Sequence, residues 1–319
     1  MLVARVNSNK MPLVSIGIPT YNRAAGNLRK VIERALEQTY PNVEVIVSDN
    51  CSSDHTSEVV KSIEDTRLRY FRQETNIGPN NNFNFCLNQA KGDYFLLFHD
   101  DDMIDRDFIE ACMSSLEPGQ PVGAIFTGVR IIDEHDNVLE KHENRGEALS
   151  PEDFILGWFQ DKTVLYLCST LFNTIKLREV GGFASKKNLY NDLVPAFTLV
   201  AKYGWRDVVD IKAGFRRHSG NAGSTISIHD WLEESLYLLD EMCRLLPESC
   251  SVLRKEGNLY FCKKMYDYVS RGSAVSRSPT DYLRIYQSFN YCYSPIQYWY
   301  DKKLSCRIER IKRILVGQN

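Results

Sequence analysis

The chain has 319 residues, 43% hydrophobic and 25% charged, with a net charge of −2, which suits a globular protein built as one large domain or as a core domain with an appendage. That balance says nothing in favour of nucleic acid as a partner, and no run of about 18 apolar residues is present to span a membrane. The nine cysteines show neither a CxxC pair nor a Cys/His cluster at zinc spacing, so they read as reduced thiols of a cytosolic protein. Met1 to Lys10 lacks the apolar core of a signal peptide.

Val14 to Ile18 is short, β-branched and closed by Pro19, as a buried strand is. Leu28, Val31, Ile32, Ala35 and Leu36 then share one helix face, ending near the turn Tyr40-Pro41-Asn42. Val43 to Val47 is a second strand, Asp54 caps a helix carrying Val59, Val60 and Ile63, and Leu68 to Phe71 is a third strand. The spacing predicts a helix over Asn80 to Lys91 with Phe83, Phe85, Leu87 and Ala90 inward or nearly so, then a fourth strand over Tyr94 to Phe98. Strands alternating with helices predict βαβ units and an α/β fold with a largely parallel sheet.

The pattern then loosens. Val122 to Asp133 gives one or two strands, with a hairpin around His135-Asp136-Asn137. Ser150-Pro151 opens a helix, Ser169 to Thr174 is strand-like, and Gly181-Gly182 closes a short helix after it. From Ile226 onwards the chain is helical, beginning with a stripe of Trp231, Leu232, Leu236, Leu238 and Leu239.

In open parallel sheets, ligands bind outside the carboxyl ends of the strands. The segments falling there are Pro19-Thr20-Tyr21-Asn22, Ser48-Asp49-Asn50, Asn76-Ile77-Gly78 and Asp100-Asp101-Asp102, all polar. Three adjacent carboxylates at the mouth of a buried strand repel one another, and a hard divalent cation removes that penalty. A solvated turn whose Asp102 or Asp105 caps the next helix is the plainer alternative.

Together with Gly181-Gly182-Phe183, Asn191-Asp192 and Arg216-Arg217-His218, the order and spacing of these segments resemble the family 2 glycosyltransferases, over Val14 to His218. The resemblance implies a GT-A fold, a three-layer sandwich, and transfer from a nucleotide sugar, with uridine the expected base. It implies a glycosyltransferase domain over 1–225, with donor binding in 12–105 and the acceptor and catalytic part in 106–225. The helical C-terminal region is then 226–319.

By the same resemblance Pro19, Thr20 and Tyr21 line the base and ribose, Asp49 accepts from the base, and Asn76 and Gly78 border the site. The family's acidic motif, aligned on Asp107-Phe108, puts Asp101 and Asp102 on Mn²⁺ or Mg²⁺ and Asp100 on the ribose, while His99 replaces a leading Asp. His218 is a further metal candidate, and Arg216 and Arg217 suit a diphosphate. Asp192 is the expected general base for an inverting transfer, although it also stands where an N-cap would. The acceptor is expected to be a glycan or a lipid-linked glycan in surface polysaccharide assembly.

Two other classes bear on these residues. A nucleotidyltransferase would carry a Gly-rich basic loop after the first strand, and Pro19-Thr20-Tyr21-Asn22-Arg23 is not one. A non-catalytic nucleotide-sugar binder is suggested by His99 and Asn191, which stand where acids are usual. Finally, Leu304, Ile308, Ile311 and Leu315 recur at helical spacing among Lys302, Lys303, Arg307, Arg310, Lys312 and Arg313. Such a basic amphipathic helix either lies on the inner face of a membrane or packs, against its own chain or in a homodimer.

Overall fold

The computed structural model describes residues 11–146, 149–217, 226–271 and 278–304. His218, the Gly/Ser loop after it and the basic tail beyond Leu304 lie outside the described residues. The chain forms two compact units, Met1–Asn221 and Ala222–Asn319.

The first unit is built on a curled sheet with the strand order β3-β2-β1-β4-β8-β6-β9-β5, and β7 beside β6. Its parallel half is β1 (Val14–Thr20), β2 (Val43–Asp49), β3 (Leu68–Arg72) and β4 (Tyr94–Leu97). Antiparallel β8 (Thr170–Asn173) joins this half to β6 (Ala124–Ile132). β6 runs parallel to β9 (Trp205–Arg216), which pairs antiparallel with the two-residue β5 (Met103–Ile104). β6 also forms the expected hairpin with β7 (Val138–His142) around the turn at 133–137.

Alternation along the strands sorts side chains to two faces. Val14, Ile16 and Ile18 join Leu28, Val31, Ile32 and Ala35 of α1 (Leu28–Leu36), Val60 of α2 (Thr56–Lys61) and Phe108 and Ile109 of α4 (Phe108–Ser114). Each buried Val, Leu, Ile or Phe among them contributes about 1.5–3 kcal/mol. On the opposite face lies α3 (Pro79–Gln89), against which α6 (Thr174–Glu179) is held by Arg178, donating to the Leu87 and Ala90 carbonyls. Gly17 lets α3 come close: a Cβ there would meet the Phe95 ring at 2.7 Å and Cys86 Cβ at 2.8 Å. Helices on both faces give the three-layer α/β arrangement.

α3 buries Leu87 as expected, and a polar residue beside it. Its buried residues are Asn82, Cys86 and Leu87, while Phe83 and Phe85 are only half-buried. The reason is polar: Asn82 donates to the Ser48 carbonyl (2.9 Å) and accepts from the Ser48 hydroxyl (2.6 Å), which fixes the rotation of the helix. α5 (Pro151–Phe159) starts as expected, with Ser150 accepting from the Asp153 N–H.

The second unit comprises α8 (Ile228–Leu245), α9 (Cys250–Arg271), α10 (Pro279–Ser288) and a helical stretch over 295–304. Tyr266 is fully buried among the rings of Tyr282, Tyr293 and Tyr298. Cys243 and Cys250 form a disulfide across the α8–α9 turn, which corrects the expectation that all nine cysteines are reduced. The short connection holds their Cα atoms 4.5 Å apart, within reach of a bond that scattered sequence spacing does not reveal. No helix among the described residues is long and apolar enough to cross a membrane.

Candidate functional site

The order β3-β2-β1-β4 makes β1 the point where the sheet winding reverses, so a crevice opens between the carboxyl ends of β1 and β4. The loops bordering it are laced together. Asn22, in a left-handed conformation (φ 53°), donates its N–H to Ser52 Oγ (2.8 Å) and accepts from the Ser53 N–H (2.8 Å). Ala24 N–H donates to Asp54 Oδ2 (3.0 Å), and Arg23 N–H to Thr56 Oγ1 (3.1 Å). Pro19 and Thr20 are buried in β1, whereas Tyr21 is 46% exposed and turned out of the fold.

After β4 the chain makes a turn, closed by the Asp102 N–H donating to the His99 carbonyl (3.3 Å). This turn brings one ligand atom each of His99, Asp101 and Asp102 within 4.8 Å of one another. His99 Nε2 and Asp102 Oδ2 are buried without a hydrogen-bond partner. Buried polar atoms rarely go unpartnered, and two of them beside a half-buried carboxylate fit the donor set of a divalent cation. His99, the anomaly of the sequence, thereby joins the cluster as a neutral ligand. Burial pushes its imidazole pKa down, keeping the uncharged form that binds metal.

The electrostatics agree with a turn shaped for a cation. Burial raises the Asp100 pKa to about 6, with the neighbouring Asp101 charge adding to the rise and Arg23 opposing it. Asp102 is also raised, by burial first and Asp101 second. Like charges gathered out of water cost free energy until a cation joins them. Arg23 offers a partial remedy from across the crevice, its Nε 3.5 Å from Asp100 Oδ1 and an Nη 3.9 Å from Asp101 Oδ2. Sequence reasoning missed Arg23 as a site residue; its signal was a lone cation three residues past the end of β1.

Three expected residues have partners within the fold. Asp49 is fully buried, and both of its oxygens are engaged: the Ser52 N–H donates to Oδ1 (2.8 Å) and the Tyr70 hydroxyl to Oδ2 (2.7 Å), with Arg72 3.9 Å away. These bonds brace the end of β2. Arg216 is likewise buried: its N–H donates to Asp102 Oδ1 (3.0 Å), its Nε to the Asp101 carbonyl (2.7 Å), and its Nη atoms to the Asp133 carbonyl and Asp136. These bonds hold the acidic turn. Arg217 is half-exposed and paired with Glu140 (3.1 Å).

Asn76 accepts from Asn50 Nδ2 (2.9 Å) and from the Gly78 N–H (2.9 Å), and Gly78 has φ 81°, a left-handed value that favours glycine. These bonds tie the end of β2 to the start of α3. At that start, Asn80 accepts from Asn191 Nδ2 (2.6 Å), which places Asn191-Asp192 on the rim at the carboxyl ends of the strands. Asp192 caps α7 (Leu193–Tyr203), Oδ1 accepting from the Leu193 N–H (2.9 Å), and remains partly exposed.

The first unit is an α/β sheet covered on both faces, with an acidic turn at its switch point that could hold a metal ion. The chain matches the model of glycosyl transferase family 2 over residues 15–179, about half its length, and belongs to that family. It is 32% identical over 156 residues to a GalNAc(5)-diNAcBac-PP-undecaprenol beta-1,3-glucosyltransferase of Campylobacter jejuni, covering 47% of this chain and 49% of the relative. The match thus spans about half the length of that relative. In structure it resembles S. aureus TarS in complex with UDP-GlcNAc (TM-score 0.65, 16% identity, 87% of this chain and 80% of TarS). It also resembles the Pyrobaculum calidifontis mannosyltransferase PcManGT in complex with GDP-Man and Mn²⁺ (TM-score 0.52, 18% identity, 92% and 84%).

Proposed function

We propose that the chain is an inverting glycosyltransferase that moves a sugar from a UDP-sugar to a hydroxyl of a glycan or lipid-linked acceptor, as surface polysaccharide assembly requires. The observation that carries this reading is the His99, Asp101 and Asp102 cluster with its two unpartnered buried atoms, at the switch point of a family 2 fold. The fold likeness to a UDP-GlcNAc complex and the undecaprenol-linked substrate in the relative's name support the donor and acceptor classes.

Held by His99, Asp101 and Asp102, a divalent cation such as Mn²⁺ or Mg²⁺ would neutralise charge on the departing diphosphate, a Lewis-acid effect of several kcal/mol. Tyr21 offers an exposed ring to the base, beside Pro19 and Thr20. Arg23 directs a guanidinium into the crevice, where its fork suits diphosphate oxygens. Arg216 fixes the turn that aims the carboxylates. Asp192, on the rim, accepts the proton of the acceptor hydroxyl as that oxygen bonds to the anomeric carbon and the bond to diphosphate breaks. One base and one direct displacement invert the anomeric centre.

Asp192→Asn tests this assignment with a panel of UDP-sugars in Mn²⁺. The expected result is a kcat lower by about 10²- to 10⁴-fold with donor KM nearly unchanged, and an inverted product by NMR for the native chain. Unchanged turnover would remove Asp192 from the chemistry, and a retained anomeric configuration would overturn the inverting route.

A further inference from the structure

We propose that Asn80 and Asn191 are positioning residues that set the place of Asp192 against the donor crevice. The inference rests on the reading of Asp192 as the general base and names what aims it.

The two asparagines stand 111 residues apart in the chain and meet through one hydrogen bond, Asn191 Nδ2 donating to Asn80 Oδ1 (2.6 Å). Asn80 is itself firmly placed. It lies in the first turn of α3, whose entry is held by Asn76 accepting the Gly78 N–H and whose rotation is held by Asn82 on Ser48. One turn further along the same face, Asn84 donates to the Phe183 carbonyl (2.9 Å) and accepts from the Phe183 N–H (2.9 Å). Asparagines four apart on one helix thus hold both ends of the segment 183–191. The approach at the Phe183 end is close enough to require glycine, since Gly182 has φ 71° and a Cβ there would collide with Asn84 Oδ1.

Between its two ends the segment closes on itself, with the Tyr190 N–H donating to Ser185 Oγ (3.2 Å) and the Ser185 N–H to Asn188 Oδ1 (3.4 Å). It then leads straight into Asp192. That residue caps α7, which is anchored from its own side by the buried Leu193, Ala196, Phe197 and Leu199. The carboxylate therefore stands between two supports, and the Asn80–Asn191 bond is the one that ties it to the donor half of the sheet. A general base works only within about 3 Å of the proton it takes, and a displacement of about 1 Å can cost on the order of 10²-fold in rate. Asn191, which stands where an acid is usual, makes the bond without setting a second negative charge beside Asp192.

Asn191→Ala and Asn80→Ala test the proposal, with UDP release from a panel of UDP-sugars in Mn²⁺ read beside UDP binding by calorimetry and thermal melting. Each should lower kcat by about 10- to 100-fold while UDP affinity changes less than about threefold. Asn80→Asp offers a carboxylate oxygen to the same Asn191 N–H and should return kcat to within about fivefold of the native chain. Because the pair acts through Asp192, Asn191→Ala placed in an Asp192→Asn background should lower kcat by less than a further twofold or so. Native kcat in both alanine variants, a loss that Asn80→Asp leaves unrepaired, UDP affinity falling along with kcat, or a full further loss in the Asp192→Asn background would overturn the inference. Unchanged turnover in Asp192→Asn itself would overturn the base reading and this inference with it, whereas a collapse there beside a native-like Asn191→Ala overturns this inference alone.

Discussion

The ends of β2 and β4 each bury a carboxylate, and they differ in what fills its lone pairs. Asp49 receives an N–H, a hydroxyl and a nearby guanidinium, all from its own fold. Asp102 receives the Arg216 N–H on Oδ1 and has the Cys168 thiol beside it, while its Oδ2, 3.7 Å from His99 Nδ1, accepts no hydrogen bond and stands beside Asp101. A buried acid that is fully satisfied is a brace. One left half-satisfied next to a second acid is a receptor for a cation, because leaving such a group unpaired costs the fold about 1–3 kcal/mol or more. Burial and position at a strand end do not separate the two; the partners do.

Asp101→Ala strikes the open side of this comparison and should have the largest effect. Loss of a ligand whose cation supplies several kcal/mol lowers turnover by about 10³-fold or more. Melting temperature without metal should hold or rise, because removing this charge relieves the repulsion that pushes Asp100 and Asp102 upward. Retained activity, or activity insensitive to EDTA, would make the acidic turn a structural feature like Asp49.

The closed side responds in the opposite sense. Asp49→Ala leaves the Tyr70 hydroxyl and the Ser52 N–H without their acceptor in a buried place, a loss of about 4 kcal/mol measured by urea unfolding. The fraction that folds should transfer sugar with donor KM changed less than about tenfold. A large rise in donor KM at unaltered stability would instead return Asp49 to the base-binding role that the family resemblance implies.

The parallel half of the sheet is legible in the sequence because its strands and helices carry unambiguous periods, as Val14 to Ile18 and Leu28 to Leu36 show. The clustering of His99 with the acids is half legible: the strand end and the three carboxylates stand in the sequence, while the imidazole's direction does not. The partners of Asp49 and Arg216 are hidden for a physical reason. Whether a charged side chain faces ligand or fold depends on partners far along the chain, Tyr70 and Arg72 for one, Asp133 and Asp136 for the other. α3 departs from its apolar periodicity because an asparagine, Asn82, outcompetes phenylalanines for the buried face by pairing with the Ser48 backbone.

A pH series sharpens the same contrast at smaller amplitude, using Asp100. Its pKa is raised in the fold to about 6 from 3.8, chiefly by burial, so the native protein holds this proton more tightly than the unfolded chain does. The resulting stabilisation is complete below about pH 4 and is lost as pH rises through about 6, and the free energy of moving the pKa that far caps it at about 3 kcal/mol. Asp100→Asn removes the titration, so unfolding free energies in EDTA should show the native chain losing stability relative to the variant between about pH 4 and 7. Saturating Mn²⁺ should cancel or reverse that slope, because the cation favours ionised oxygens in the turn beside it. A native chain that instead gains on the variant as pH rises in EDTA would mean that Arg23 already keeps Asp100 ionised, and the crevice would then be a finished ion pair rather than an open site.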